Sequence, residues 1–544
     1  MHARSSMSYR TCLPALLLAV LSVAAPANAQ DCAQCHDQTQ RLSKSTHSGL
    51  DCQTCHEGVK EYPHKAPVAK TGCDSCHSDA SAQYELGAHA KLHKGGNAKA
   101  ATCASCHGDV HDAVKARDAA FRRKVPETCG TCHAEISKQF QESVHGTLLA
   151  SGNEAAASCT SCHGAHTNLP PRDPEALVNA RNIRDTCASC HNNVILARRF
   201  QLPLDRVSSF DQSFHGLAAK AGSQTVANCA SCHGIHNILP SSDPKSTIHP
   251  SHLKETCGHC HEGASDRFAN ARMHWTDTRG APPAVGIIRA VYLVIIPLVV
   301  GLMFLHHAGD YIRKLAPIFR GRAPAPGEPS GEVRMLPAER VQHALLAISF
   351  ILLALSGFAL RYPDTWWAKP VVQFETYWPV RGTIHRIAAL IIVGVSVAHV
   401  LALAFSRPLR EHWKGLLPKW RDLGDAWRTF LYNLGLRKTK PELPSHSYVA
   451  KAEYWAVVWG TAVMAITGFL LWANRYTFQW IPREWMDAAA ALHLYEAILA
   501  TFAVLVWHAY SVILDPDVYP VDPAFLTGKS GRRVRKAEEP PEAE

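Results

Sequence analysis

Nine copies of the motif Cys-x-x-Cys-His lie between Cys32 and His261, and they use eighteen of the nineteen cysteines. In such a motif both thiols add to the vinyl groups of a haem, and the histidine binds the iron from one face. The alternatives are structural zinc and disulfides, but neither requires a histidine after every cysteine pair. We therefore expect nine covalent c-type haems. The cysteine pairs, numbered from the first to the ninth motif, are Cys32/Cys35, Cys52/Cys55, Cys73/Cys76, Cys103/Cys106, Cys129/Cys132, Cys159/Cys162, Cys187/Cys190, Cys229/Cys232 and Cys257/Cys260. The predicted proximal ligands are His36, His56, His77, His107, His133, His163, His191, His233 and His261.

A second set of histidines follows the motifs in register. After the odd-numbered motifs a single histidine follows at a longer interval, and these are His47, His89, His145, His215 and His274. After the even-numbered motifs the interval is shorter, and the histidines are His64, His111, His166 and His236. Nine motifs with nine further histidines predict a distal ligand for every iron. The sequence leaves open which histidine serves which haem. We interpret the remaining histidines of this region as surface residues or propionate contacts; they are His93, His249, His252 and His259.

A histidine on both faces of every haem iron would have a functional consequence. An iron with histidine on both faces carries electrons, whereas a multihaem reductase needs one iron with an open face. The leading interpretation is thus an electron conductor. The alternative from another class is a terminal reductase of a small nitrogen or sulfur oxyanion, and it requires that one of the nine distal histidines does not bind iron.

The chain of 544 residues is too long for one domain. Residues 1–29 resemble an export signal, with Arg4 and Arg10 before an apolar run and Ala27-Asn28-Ala29 as a cleavage site. Residues 30–280 form the predicted periplasmic haem domain, where internal repeats and little chain per haem predict short helices and loops packed on the haems. Covalent haem attachment outside the inner membrane agrees with export of this domain.

Composition changes after residue 280, and residues 284–515 form a predicted membrane domain. Five apolar segments are long enough to cross a bilayer: 287–307, 341–360, 384–405, 452–472 and 489–514. The fold class is therefore a multihaem cytochrome c region joined to an all-α bundle of five spans. The segments that follow the first, third and fifth spans hold 21 Lys and Arg residues in total, whereas those that follow the second and fourth spans hold 5. This asymmetry places the basic segments and the tail, residues 516–544, in the cytoplasm, with the haem domain outside a bacterial inner membrane.

Two further predictions concern the cytoplasmic side. Trp413, Trp420 and Trp427 recur every seven residues among basic residues, which predicts an amphipathic helix on the membrane surface. The tail beyond Gly528 is charged, and we expect it to be disordered. The net charge of +10 lies mostly beside the spans and gives no reason to expect a nucleic-acid partner.

Histidines inside the spans are costly and usually functional. His385 and His399 lie 14 residues apart on the third span, and His493 and His508 lie 15 apart on the fifth. Fourteen residues of helix rise about 21 Å and return to nearly the same face. Two such helices could hold two b-type haems, one near each membrane surface. His343, at the inner end of the second span, competes with His399 for the position opposite His508.

Short motifs across residues 338–515 resemble the cytochrome b subunits of formate dehydrogenase and nickel-iron hydrogenase. The matching segments are Glu339-Arg-Val-Gln-His343 with Ser356-Gly357, Arg381-Gly-Thr-Ile-His385, Lys451-Ala-Glu-Tyr-Trp455 with Thr467-Gly468, and His493 with His508-Ala-Tyr510. The resemblance implies an outer b haem on His385 and His493, an inner b haem on His343 and His508, and menaquinone beside the inner haem. The chain departs from this family in its additional first span, in His399, and in Tyr432-Asn-Leu-Gly435, which lies well before Lys451.

The resemblance favours His343 as the inner ligand, with Ser356-Gly357 making room for the porphyrin, and leaves His399 as a candidate for contacting a quinone. The whole arrangement resembles the inner-membrane quinol-oxidising cytochromes of metal-respiring bacteria. We expect a quinol:cytochrome oxidoreductase that passes electrons from the quinone pool through two b haems and nine c haems to a periplasmic or outer-membrane cytochrome. The reverse direction, reduction of quinone by periplasmic electrons, stays open.

Overall fold

The computed structural model describes residues 32–59, 64, 68–275, 280–321, 328–373, 380–444, 446–477 and 479–534. The predicted signal peptide lies outside these residues. The chain forms two compact units. One contains the residues up to Cys129 with His166–Asn168, and the other contains Gly130–Ala165 with the residues from Leu169 onward. The second unit therefore holds the last four motifs and all five predicted spans.

The haem-motif region consists of short helices, as predicted. Their bounds are Cys32–Gln34, Gln38–Leu42, Cys52–Cys55, Cys73–Ser75, Ser78–Leu86, Ala88–Lys94, Cys103–His107, Val110–Asp112, Ala119–Gly130, Ala134–Glu142, Val144–Ala150, Cys159–His163, Ile183–His191, Val194–Phe200, Asp205–Gln212, Phe214–Lys220, Cys229–His233, Leu253–Gly258 and Asp266–Ala269. The buried apolar residues here are few and mostly small, with Phe140, Leu149 and Ala156 forming one cluster. Such a region needs additional apolar surface to hold its fold, and haems would supply it.

The fourth, sixth and eighth motifs share one local structure. Each forms a five-residue helix whose N-cap residue and third residue bond reciprocally, which satisfies donors that a helix start leaves free. The glycine that follows each motif, Gly108, Gly164 or Gly234, ends the helix with a positive φ between 77° and 83°. The repeat detected in the sequence thus corresponds to a repeated way of presenting two cysteines and a histidine.

The segments that carry the distal candidates His145 and His215 also share a structure. Ser143 and Ser213 each cap a helix by accepting a hydrogen bond from the amide of the glycine three residues later. At those glycines, Gly146 and Gly216, a side chain would collide with the carbonyl oxygen of the preceding helix, 2.0 Å away. The pattern Ser-x-His-Gly therefore fixes a tight corner that places the histidine at the second helical residue.

Among the described residues, five helices are long and apolar enough to cross a membrane, which confirms the predicted number of spans. They are Pro283–Phe319, Pro337–Arg361, Val380–Phe405, Tyr448–Trp472 and Arg483–Leu514. The first span continues well beyond its predicted end at residue 307. The fifth changes to π-helix over Val504–His508 and Tyr510–Leu514. The third span packs on the second, and the first and fourth pack on the fifth.

Short elements join the spans. The helices are Lys369–Val372, Arg407–Trp413, Lys414–Leu416, Trp420–Asn433, Asn474–Thr477 and Ala524–Thr527. The strand Glu328–Pro329 pairs antiparallel with Arg533–Val534, with Pro329 opposite Arg533. The prediction of disorder beyond Gly528 is therefore wrong for Lys529–Val534, because backbone pairing with the segment before the second span holds this stretch.

The prediction of one amphipathic helix through three tryptophans is also wrong. Trp420 and Trp427 lie on the helix Trp420–Asn433 and are 90% and 60% exposed, as an interfacial helix requires. Trp413, however, ends a separate helix, and its indole nitrogen donates a 2.7 Å hydrogen bond to Glu339 on the second span. The break at Pro418 separates the two helices.

Candidate haem centres

Eight proximal histidines face a predicted distal histidine at a nearly constant separation. The ring centroids lie 5.8 to 6.3 Å apart. The pairs are His36–His64, His77–His47, His56–His111, His107–His166, His191–His145, His163–His236, His261–His215 and His233–His274. His89 and His133, the other members of the two predicted sets, also have interaction partners.

This separation fits an iron between the two rings. A bond from a metal to an imidazole nitrogen is about 2 Å long, so two such bonds and the distances from nitrogen to ring centre give about 6 Å. Direct hydrogen bonding or stacking would bring imidazoles closer than this. The residues therefore fit a haem held by histidine on both faces.

Several predicted haem-binding cysteines are exposed, as are three of the proximal histidines, His36, His77 and His133. None of the eighteen is buried, and eight are exposed rather than enclosed by protein, which differs from the surroundings expected of a cofactor site. The exposed cysteines are Cys35, Cys73, Cys76, Cys103, Cys106, Cys132, Cys190 and Cys260. Six of these are the second cysteine of their motif, next to the proximal histidine: Cys35, Cys76, Cys106, Cys132, Cys190 and Cys260.

The physical reason for this exposure is the way the motifs are presented. They lie on short helices in a region with few buried apolar side chains, so the protein itself has little with which to cover the thiols. A thioether forms at the edge of the porphyrin, and the apolar macrocycle would provide the cover that side chains do not. Attachment of haem also requires thiols that its vinyl groups can reach.

The facing histidines follow a rule that the sequence did not reveal. The histidines after the first, fifth and seventh motifs, His47, His145 and His215, face the motif two places later. The histidines after the fourth, sixth and eighth motifs face the motif two places earlier, and they are His111, His166 and His236. None of the eight pairs joins a motif to the histidine that follows it directly. The two histidines of every described pair therefore come from different repeats.

For several of these histidines the surroundings lower the pKa and so favour the neutral imidazole, the form that can bind iron. Burial lowers the pKa of the histidines in several pairs, namely His145, His163, His191 and His233. Burial, with smaller contributions from neighbouring positive groups, lowers the pKa of His215 and of His274 to about 4. Metal ligation requires a deprotonated ring nitrogen, and a neutral imidazole provides one.

Two of the leftover histidines lie at the surface of the haem region. The Nδ1 atom of His249 lies 2.6 Å from the hydroxyl of Ser251, and Nε2 of His252 lies 2.9 Å from the carbonyl oxygen of Pro244. These local contacts agree with the interpretation of both as surface residues.

In the membrane helices, His385 faces His493 with ring centroids 6.5 Å apart. The two sides are built alike. Nδ1 of His385 lies 2.8 Å from the hydroxyl of Ser356, and Nδ1 of His493 lies 2.8 Å from the hydroxyl of Thr467. A hydroxyl on a neighbouring span thus holds each ring.

The same hydroxyls decide which ring nitrogen is protonated. Ser356 donates its proton to the carbonyl oxygen of Leu352, and Thr467 donates to that of Val463. Each hydroxyl oxygen must therefore accept from Nδ1–H of its histidine. This leaves Nε2 without a proton and pointing between the helices, the arrangement in which a second residue orients a metal-binding histidine.

The glycines after these hydroxyl residues make room for the rings. A Cβ atom on Gly357 would lie 3.4 Å from Cε1 of His385, and one on Gly468 would lie 3.2 Å from Cε1 of His493. The sequence argument that Ser356-Gly357 makes room beside His343 is wrong, because this step packs on the imidazole of His385. The two small-residue steps belong to the outer pair of histidines.

The inner pair is His343 and His508, with ring centroids 6.2 Å apart. His399 lies elsewhere: its Nε2 is 3.3 Å from the hydroxyl of Tyr454, and its ring centroid is 4.9 Å from that of Trp413. Of the two competitors, the structure therefore places His343 opposite His508. Glu453 lies 3.6 Å from Nδ1 of His508, a neighbour that the motif comparison did not single out.

Within the second unit, the ninth motif and its distal candidate both adjoin the membrane helices. His215 lies on the helix Phe214–Lys220, where Lys220 is 3.6 Å from Asp364 in the loop after the second span. On the other side, Ala264 and Phe268 form a buried cluster with Met486 at the start of the fifth span, and Cys257 packs against it. The ring of His261 lies 5.3 Å from that of Phe268.

Comparison with known proteins agrees with this division. Residues 334–520 match the family model of prokaryotic cytochrome b561. The chain is also 30% identical over 157 residues to the multiheme cytochrome MtrC of Shewanella baltica, a match that spans 25% of this chain and 24% of that protein. No solved structure matches the chain.

These findings fit a multihaem c-type cytochrome fused to a cytochrome b domain. The five candidate membrane helices and these two matches support membrane electron transfer through haem b and haem c. The chain spans about a quarter of the length of the curated relative that it matches. The cytochrome b561 match begins after the first span, which thus lies outside it.

Proposed function

We propose that the protein is a quinol:cytochrome oxidoreductase of the bacterial inner membrane. It takes electrons from menaquinol near the cytoplasmic surface and delivers them, through two b haems and nine c haems, to a periplasmic or outer-membrane cytochrome. The observation that carries the proposal is the constant separation of the facing histidines, eight pairs in the motif region and two in the membrane helices. Iron held by two histidines exchanges single electrons without binding a substrate.

The proposed ligands are the predicted ones. His385 and His493 would hold the outer b haem, and His343 and His508 would hold the inner one. The nine motif histidines would each pair with one of the nine predicted distal histidines, and His89 keeps its place in that set. Because the described pairs would occupy both faces of eight of the nine proposed c-haem irons and of both b-haem irons, they support conduction over the terminal reductase.

The proposed quinone contact is His399. Its neighbours Tyr454 and Trp413 offer a hydroxyl and an aromatic surface. Trp413 also donates a hydrogen bond to Glu339, which lies one helical turn before His343. A half-buried histidine beside a tyrosine hydroxyl can take a proton from a hydroquinone as it is oxidised. The cluster therefore lies close to the histidine proposed for the inner haem, where the first electron acceptor is needed.

The proposed exit toward the periplasm is the ninth motif. The fifth span carries His493 and begins at Arg483, whose guanidinium lies 6.0 Å from the ring of Phe268 beside His261. One helix thus links the outer pair of histidines to the environment of the ninth motif. The orientation, with the haem domain in the periplasm, rests on the uneven distribution of Lys and Arg between connecting segments.

Stopped-flow mixing of the purified protein, in lipid nanodiscs, with a short-chain menaquinol tests the proposal. We expect the b-haem absorbance to change first and the c-haem absorbance to follow, with oxidation of the c haems on addition of a periplasmic c-type cytochrome. Reduction of the haems by dithionite but not by menaquinol would reject the proposal. A high-spin c-haem signal in the oxidised wild-type protein would instead favour the reductase.

A further inference from the structure

The first span carries a buried polar cluster that the proposed electron path does not use. His306 and His307 are 8% and 7% exposed although they lie on a span. Around them are Asp310 and Lys314 on the same helix, Asn433, Tyr448, Trp507 and Tyr510 on neighbouring helices, and Asp515, Asp517 and Arg532 in the segment after the fifth span. Ionisable groups buried in a membrane helix are rare and commonly belong to ion or proton pathways.

One half of this cluster, which reaches the protein surface, is a continuous series of short contacts between side chains. The hydroxyl of Tyr510 donates a 2.6 Å hydrogen bond to Asp310, and Asp310 lies 2.8 Å from the ammonium of Lys314. Lys314 in turn lies 2.6 Å from Asp515, which lies 3.0 Å from Arg532. The side chain of Arg532 is 42% exposed, so the chain of contacts ends at the surface.

The other half of the cluster reaches the segment of the fifth span that contains His508. His307 packs against Tyr510 and Trp507, with ring centroids 4.3 and 4.6 Å away. His306 stacks on Trp507 and lies 3.0 Å, through Nε2, from the hydroxyl of Tyr448. The fifth span is π-helical here, a distortion that often marks functional sites and that brings both Trp507 and Tyr510 toward the first span.

In the middle of this series of contacts are polar atoms that lack a hydrogen-bond partner. Nε2 of His307, the amide oxygen of Asn433 and the indole nitrogen of Trp507 are buried and make no hydrogen bond among the described residues. Such groups are expensive unless water or a mobile proton carrier satisfies them. His307 and Asn433 are more than nine-tenths buried, so two of these polar atoms lie inside the cluster, away from solvent.

We propose that the cytoplasmic part of the first span is a proton-transfer path between the His508 segment and the cytoplasm, running through Tyr448, His306, His307, Asp310, Lys314 and Asp515. The proposal rests on the proposed function for its purpose. When a hydroquinone is oxidised to the quinone, its two electrons reduce two ferric haems in turn, and its two protons must leave the buried site. The path takes those protons to the cytoplasmic surface.

The first span also lies outside the part of the chain that matches cytochrome b561. It is fitted closely to the rest of the domain, because a side chain at Gly309 would lie 2.7 Å from the carbonyl oxygen of Asn433. A helix added only as an anchor would not need buried histidines or an aspartate. The additional span therefore supplies groups for proton transfer that the matched region does not contain.

Two variants separate proton transfer from structure. In Asp310→Asn the hydrogen bond from Tyr510 can persist and Lys314 keeps Asp515 and Asp517, but the side chain can no longer exchange a proton. In His307→Phe the ring packing against Trp507 and Tyr510 is retained, but the nitrogen is lost. The matched control is Tyr311→Phe, because Tyr311 is 42% exposed on the same helix.

The first readout needs no quinol. The full-length protein is reduced at an electrode in weakly buffered solution, and a pH-indicator dye reports the protons taken up as the b haems accept electrons. We expect proton uptake in the wild type and in Tyr311→Phe, and reduced uptake in both Asp310→Asn and His307→Phe with the same number of b haems reduced. Equal uptake in all four proteins, or loss of a b haem from both cluster variants, would overturn the proposal.

The second readout tests the path during turnover. We expect both cluster variants to slow menaquinol-driven haem reduction by at least about tenfold, since proton transfer by positioned groups commonly contributes a factor of about 10² or more. Their reduction by dithionite should stay at the wild-type rate. If wild-type protein is not reduced by menaquinol, the proposed function fails, and proton uptake at the electrode still decides the proton path.

Discussion

Nδ1 of His493 lies 2.8 Å from the hydroxyl of Thr467, which itself donates to a carbonyl oxygen one turn earlier on the fourth span. The same relationship joins His385 to Ser356 on the second span. Two helix pairs thus present one imidazole each toward a common space, with the same nitrogen fixed by the same kind of acceptor. The proposed outer haem centre therefore consists of two similar halves.

The first prediction concerns these acceptors. Thr467→Val and Ser356→Ala remove the hydroxyl that orients the ring, and we expect each to weaken binding of the outer b haem by roughly 10–100-fold. Haem titration of the extracted apoprotein, followed by absorbance, measures the affinity. Ser396→Ala is the matched control, because Ser396 bonds in the same way to the carbonyl oxygen of Ile392 on the third span. Unchanged affinity in Thr467→Val would mean that the hydroxyl does not orient a ligand.

The second prediction concerns the glycine beside each ring. Gly468→Val places bulk where Cβ alone already lies 3.2 Å from the ring of His493, so the imidazole must move and the outer b haem should be lost. Gly394→Val is the control, because a Cβ atom on Gly394 would have no neighbour within 4 Å. Extractable haem per covalent haem should fall by about half in the first variant only. Full retention of haem in Gly468→Val would contradict the placement of the outer centre.

Much of this architecture could be predicted from the sequence. The spacing of nine motifs and five apolar segments identifies the fold class, and the structure confirms the number of spans. The predicted first span is too short because its last turns hold Asp310 and Lys314, which hydropathy counts as a helix end. Both residues stay on the helix because they form an ion pair with each other, and Lys314 forms a second ion pair with Asp515.

The arrangement of ligands could not be predicted in the same way. Sequence order places His47 nearest to the first motif, yet it faces His77 of the third. Such exchange depends on how the repeats pack, and packing between repeats leaves no local signal. The sequence assigns Ser356-Gly357 to the inner centre because His343 lies on the same helix. In the structure this step packs on His385, which lies on the next span, and the sequence gives no local signal of that contact.

The third prediction tests the exchange of ligands between motifs. His274 follows the ninth motif but faces His233 of the eighth. His274→Ala should therefore leave the eighth haem with five ligands and produce one high-spin signal in electron paramagnetic resonance. The signal should persist when Cys257 and Cys260 are also replaced by Ser, and it should be absent when Cys229 and Cys232 are replaced instead. The opposite outcome would assign His274 to the ninth haem. His252→Ala is the surface control.

The fourth prediction concerns the charge at the junction. Burial, His261 and the charge of Arg483 lower the pKa of His215 to about 4, and burial with the same charge lowers the pKa of His261. A nearby positive charge also favours the reduced over the oxidised haem. Arg483→Gln should thus lower the potential of one c haem by on the order of tens of millivolts, in spectroelectrochemical titration. The exposed Arg267→Gln is the control, and an unchanged set of potentials in Arg483→Gln would exclude this role.

The last prediction separates His343 from His399. His343 faces His508 with ring centroids 6.2 Å apart, whereas His399 faces Tyr454 and Trp413. His343→Ala should therefore lose the inner b haem, and pyridine haemochrome analysis should find one extractable haem where wild type has two, with all covalent haems retained. His399→Ala should keep both b haems and their reduction by dithionite, but lose reduction by menaquinol. Val397→Ala, on the exposed face of the same span, is the control for His399. If His399→Ala loses the haem and His343→Ala keeps it, the third and fifth spans alone hold both haems, and the quinone contact must lie elsewhere.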